Sequence, residues 1–204
     1  MAQSVTGIAN RALQLVGASS ILNLTDNSPE AREVSRAYDY CRRAELRSNP
    51  WNFAVTRIEL APDTAAPAFG FQYQYTLPAD CLRVLLPNDA CLDWKLEGKK
   101  LLTNSGTSPF GAGVYGATTT PSAALFLKYI TDITDPTVFD PMFCEALACR
   151  LAMAICERLT QSNQKKQLLQ SDYSNAVMTA RAVDAFENLP DDAPADDYWL
   201  ARVR

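Results

Sequence analysis

The sequence predicts an α+β fold: a helical bundle formed by N- and C-terminal helices, an inserted, mainly antiparallel β region, and an extended C-terminal arm. Three observations carry this prediction. Helical periodicity with recognisable caps is confined to residues 1–50 and 133–188, which together make one discontinuous bundle. From Pro50 to about Asp132, prolines at 50, 62, 67, 78, 87, 109 and 121 exclude long helices, and β-branched or aromatic runs lie between them, which sets off 51–132 as the β region. Beyond these, Pro190 and Pro194 break the pattern among Asp191, Asp192, Asp196 and Asp197, leaving 189–204 as an arm. With 204 residues, 48% hydrophobic and 21% charged, the chain has the composition of a folded globular protein.

In the first segment, Val5, Ile8, Ala12 and Leu15 recur at helical spacing over 4–16, and Gly17 suits the left-handed cap. Ser28-Pro29-Glu30 then supplies an N-cap, a proline at the first helical position and an acid in the first turn of a helix running to about Arg47. Val34, Ala37, Tyr38, Cys41 and Ala44 form its apolar stripe. Arg32, Arg36, Arg43 and Arg47 project from the other side as a basic face, either solvated and relieved by Glu33 and Asp39 or in contact with an acidic neighbour.

Strands are predicted at 52–60, 71–76, 81–86, 90–95, 100–102 and 123–130, with Glu97-Gly98-Lys99 as one turn. Residues 103–122 hold five threonines and four of the eight glycines, too long a run for a plain turn, and predict a projecting loop. Asp140-Pro141 opens a third helix to about Thr160. It is apolar on one face through Phe143, Ala146, Leu147, Leu151, Ala154 and Ile155, and small and apolar opposite through Cys149, Ala152, Met153 and Cys156. Such a helix should be buried on most sides, which predicts cover from neighbouring subunits as well as from its own chain. A fourth helix over 164–187, with Leu169, Tyr173, Ala176, Val177, Ala180 and Val183 on one face, should pack antiparallel to it.

The chemistry is narrow. With no histidine, every triad or metal site that needs an imidazole is removed. A formal charge of −4 disfavours a protein built to grip phosphate backbones. The six cysteines show no Cys-x-x-Cys spacing, no secretory signal is visible at the start, and reduced, buried thiols are the expectation. No apolar run approaches the length of a membrane span. Gly111-x-Gly113-x-x-Gly116 matches a dinucleotide fingerprint but leads into a strand, where no helix N-terminus can receive a pyrophosphate. Asp132 and Asp135 would support an enzyme only if buried together in a cleft, and no base stands ready for a Ser or Cys nucleophile. No cofactor is expected, and the residues favour contact over turnover.

Three blocks taken together carry a resemblance. They are Ala44-Glu45-Leu46-Arg47-x-x-Pro50-Trp51-Asn52-Phe53-Ala54, then Tyr73-x-Tyr75-x-Leu77-Pro78-x-Asp80-Cys81-Leu82-Arg83-Val84, then Tyr129-Ile130 with Thr134-Asp135-Pro136-x-x-Phe139-Asp140-Pro141-x-Phe143-x-Glu145-Ala146-Leu147-Ala148-x-Arg150-Leu151-Ala152. In this order and spacing the chain resembles the tail tubular protein A family of short-tailed bacteriophages, the adaptor between portal and tail nozzle. The resemblance implies a virion protein made in the host cytoplasm and assembled as a homo-oligomeric, usually dodecameric ring. That ring would bind portal and nozzle, and DNA would pass through its lumen on ejection. It also implies that the arm reaches the portal, which makes Tyr198, Trp199, Arg202 and Arg204 portal-docking candidates. The loop would contact the nozzle through Phe110, Val114 and Tyr115. Another neck or tail component (a nozzle, head-completion or host-contacting module) is the alternative. The Pro50-Trp51-Asn52-Phe53 block reads as a hinge and core plug between bundle and β region.

Overall fold

The computed structural model describes residues 3–87, 93–104 and 124–187. In chain order these form α1 (Val5–Val16), α2 (Pro29–Ser48), a 3-10 turn (Asn52–Ala54), β1 (Val55–Leu60), β2 (Tyr73–Thr76), β3 (Cys81–Pro87), β4 (Trp94–Glu97), β5 (Lys100–Thr103), β6 (Leu125–Thr131), a 3-10 turn (Pro136–Val138), α3 (Pro141–Thr160) and α4 (Asn163–Phe186). The α+β class and the antiparallel character of the β region are as the sequence predicts.

The helix ends follow local chemistry. Ser4 accepts from the Gly7 amide, Ser28 from Ala31, Asp140 from Met142 and Phe143, and Ser162 from Lys165, so each N-terminus has orphan donors satisfied by its own cap. Gly17 closes α1 with φ +76°, and a Cβ there would meet Lys165 Nζ at 2.9 Å. That ammonium itself donates to the Val16 carbonyl at the end of α1.

α3 lies at the centre of the bundle, packed by α1, α2 and α4. Phe143, Leu147, Leu151, Ile155 and Cys156 are buried, and so are the small residues of the opposite side, Cys149 and Ala152. Most of the two-sided apolarity of this helix is therefore covered within one chain, with Met153 half-buried and Ala154 exposed, and the expectation that neighbouring subunits are needed to bury α3 is corrected. A central helix in a bundle is surrounded by its own partners, which cover most of its apolar surface.

The strands form two antiparallel sheets, ordered β1-β6-β3 and β2-β5-β4. Leu125 and Leu127 of β6 face Tyr75 and Leu101 of the second sheet across a small core that also takes in Val84 and Leu77. Ile130, on the other face of the same strand, joins the helical core together with Val55 of β1. One sheet thus serves two cores, because successive side chains point to opposite faces. β4 and β5 are joined by Gly98-Lys99 with Gly98 at φ +60°, the conformation a type II′ hairpin asks of its first central position.

Several strand predictions shift. Residues 52–54 form a 3-10 turn, because Trp51 and Phe53 are drawn into an aromatic cluster with Phe139 and Phe143, with ring centroids 5.0 to 6.5 Å apart. The strand expected at 90–95 is found at Trp94–Glu97, set by its pairing with β5, and residues 90–92 lie outside the described residues. The start expected at residue 71 moves to Tyr73, where pairing with Thr103 begins. Trp51, 1% exposed, is the core plug that the sequence implies.

Candidate functional site

The four arginines of the predicted basic face are all exposed on α2, but they do not act as one patch. Arg32 donates to the Asn27 amide oxygen, and Arg36 pairs with Glu33 at 3.1 Å. Arg43 pairs with Asp132 at 3.0 Å, and Arg47 donates to the Leu82 carbonyl. The sequence reading passed over Arg42, which is 3% exposed and bonds Asp132, the Ile133 carbonyl and Asp39. Asp39 therefore relieves Arg42 and no member of the stripe. Asp132 ties the end of β6 to α2 through two guanidiniums.

Asp132 and Asp135 do not form an acid–base pair. Asp135 accepts from the Thr137 amide and hydroxyl at the 3-10 turn, and those hydrogen bonds hold its carboxyl below the usual range. Burial pushes the Cys144 thiol up to about 12 and Cys149 to about 11, and raises Cys41 and Cys81 as well, so none of these four is an activated thiolate. Among the described residues no group of three or more Cys, Asp or Glu could hold a metal ion, and no helix is long and apolar enough to cross a membrane.

A buried charge network lies inside the bundle. Glu45 of α2 is fully buried, and its Oε2 accepts from Arg150 Nη1 at 2.9 Å and from the Tyr173 hydroxyl at 2.8 Å, joining α2, α3 and α4. Arg150 also donates to the Tyr173 hydroxyl and lies 5.7 Å from that ring's centroid. The Glu45 backbone carbonyl accepts from Trp51 Nε1 at 3.0 Å. Burial first, and then Glu45, pushes the Tyr173 phenol up to about 12. This network locks three helices to the aromatic plug.

Two surfaces stand out among the described residues. The first is a cleft of about 300 Å³ where the end of α2 meets β3 and the β4–β5 turn, lined by Arg47, Arg83 and Lys99 over Leu77, Val84 and Leu96. Arg83 Nη1 donates to the Arg47 and Ser48 carbonyls at 3.4 Å each, so among the described residues the cleft's guanidiniums bond backbone carbonyls. Among the described residues no carboxylate pairs with any of the three cations, and nearby acids are engaged elsewhere, Glu97 with Lys95 and Asp80 with Thr131.

The second surface is the outer face of α4. Leu168, Ser171, Asn175, Met178, Ala182 and Phe186 are all exposed and recur at intervals of 3, 4, 3, 4 and 4. None carries a charge. Leu168 is 62% exposed, Met178 70% and Phe186 89%. This 3-4 spacing is that of a helix–helix seam. The same helix buries Leu169 and Ala180 on its other side, with Tyr173 half-buried beside them. The second period was present in the sequence, overlaid on the first.

The arm residues Tyr198, Trp199, Arg202 and Arg204 and the loop residues Phe110, Val114 and Tyr115 lie outside the described residues. In comparisons with known proteins, no family model and no curated sequence matches the chain.

Proposed function

We propose that this protein is a structural virion component, a head-to-tail adaptor that assembles as a ring between portal and tail nozzle and lets DNA pass on ejection. The observation that carries the reading is the uncharged 3-4 seam on the outer face of α4, a long helix surface that the other described residues leave exposed. Burying charge without a partner is costly, so an uncharged seam of this length suits repeated contact with another helix surface, as between protomers of a closed ring. The three-block resemblance names the class of assembly, and the net charge of −4 suits a lumen along which DNA slides without being held. In this reading the segment after α4 carries Tyr198, Trp199, Arg202 and Arg204 to the portal, and the 103–122 loop meets the nozzle through Phe110, Val114 and Tyr115.

The test is co-sedimentation with purified portal complexes, followed by electron microscopy of the product. Rings on the portal that are lost with Leu168→Asp or Phe186→Asp, while the variant's circular dichroism is retained, support the adaptor. A chain that never associates with portal or with itself refutes it. Deleting 189–204 should abolish portal binding, and unchanged binding overturns the placement of the arm.

A further inference from the structure

We propose that the basic cleft between the end of α2 and β3 is the docking site of the chain's own acidic segment, Asp191 through Asp197. Charge complementarity is the first argument. Arg47, Arg83 and Lys99 line the cleft, and no carboxylate among the described residues neutralises them. Residues 189–197 read Leu-Pro-Asp-Asp-Ala-Pro-Ala-Asp-Asp, two acid pairs separated by small residues and with no cation. The apolar lining of Leu77, Val84 and Leu96 suits the Leu, Pro and Ala side chains of this sequence. Guanidiniums whose bonds among the described residues go to carbonyls keep further N–H donors for carboxylates.

Geometry is the second argument. α4 runs back toward the sheet, and its last turn is pinned there: the Asn52 amide donates to Asp184 Oδ1 at 3.0 Å and its side-chain amide to the Asp184 carbonyl at 2.7 Å. Ser48, which Arg83 holds, is four residues from Asn52, at most about 14 Å of extended chain. Glu187 caps α4, so beyond it the chain can span at most about 14 Å to Asp191 and about 35 Å to Asp197. The acidic segment therefore reaches the cleft of its own protomer, where its effective concentration far exceeds that of a second copy. The aromatic and basic residues 198–204 would extend beyond the cleft, so docking the spacer sets where they emerge.

Zero-length carbodiimide coupling of the full chain, mixed in equal parts from ¹⁴N- and ¹⁵N-labelled protein, tests this. The expected product is an isopeptide between Lys99 and an aspartate of 191–197, found by mass spectrometry within single-isotope peptides. Its yield should fall about five-fold or more in 1 M salt, where charges are screened beyond about 3 Å. It should fall similarly with Arg47→Gln plus Arg83→Gln, which leaves Lys99 in place. No such cross-link, or one indifferent to salt, overturns the proposal, and mixed-isotope peptides overturn it in favour of a second copy. Should the double variant lose its fold, the salt series on the wild-type chain decides alone. The inference does not depend on the adaptor reading, since neither portal binding nor ring microscopy enters this measurement.

Discussion

α3 and α4 are consecutive helices of similar length, joined by a two-residue turn, and they differ in what they leave to solvent. Along α3, Phe143, Leu147, Leu151, Ile155 and the small residues opposite them are all buried by the chain itself. Along α4 only Leu169 and Ala180 are buried, while Leu168, Met178 and Phe186 stand exposed. Apolarity on two sides thus has two meanings. At the centre of a bundle it is covered by the chain's other helices, and at the edge part of it stays exposed.

The largest effect should come from the network that fastens the two helices together. Arg150→Met leaves the fully buried Glu45 with Tyr173 alone and should cost about 3 kcal/mol, the low end for a broken buried pair because Arg150 is partly exposed. Urea denaturation measures it. Replacing Glu45 and Arg150 together, Glu45→Leu with Arg150→Met, should recover most of the loss, and failure to recover would show that packing and not charge holds this layer.

Truncation sharpens the comparison next. Leu147→Ala in α3 should cost about 2–5 kcal/mol through its cavity. Leu168→Ala in α4 should change stability by less than about 0.5 kcal/mol, as for other surface positions. Equal losses on thermal denaturation would mean that the α4 face is covered in the free chain.

Alkaline pH separates the inner from the outer surface. Burial raises the Tyr38 and Tyr173 phenols to about 12, the Cys144 thiol to about 12 and Cys149 to about 11. A pKa raised on folding gives stability that is complete below the unfolded value, near 9.0 for a thiol and 10.0 for a phenol, and lost as pH climbs through the folded value. The urea midpoint should therefore fall between pH 9 and 11, and Tyr173→Phe should make that fall shallower. A flat profile would mean that these groups are not buried in the folded chain.

The smallest effect belongs to the exposed Lys166–Glu157 pair at the α3–α4 turn, 2.7 Å apart. Lys166→Ala should leave the denaturation midpoint unchanged within error, since solvated pairs contribute little. A clear drop would show that the turn itself organises the hairpin.

Local features were readable from the chain alone. Ser4 and Gly17, Ser28-Pro29 and Asp140-Pro141 mark helix ends because a cap bonds amides only two or three residues away, and Gly98 marks its hairpin because the turn requires φ > 0. These are facts of the nearest few residues. The burial of Glu45 and Arg42 was hidden, because the groups that bury and pair them, Arg150, Tyr173 and Asp132, lie some ninety or more positions along the chain. The same distance explains the turn at Asn52, held by Asp184. The seam on α4 was legible as spacing but masked by the stronger amphipathic period on the same helix. Which of two apolar faces is spent on the core, and which is left over, is decided only by where the other helices sit. That is a property of packing in three dimensions, and no window of neighbouring residues contains it.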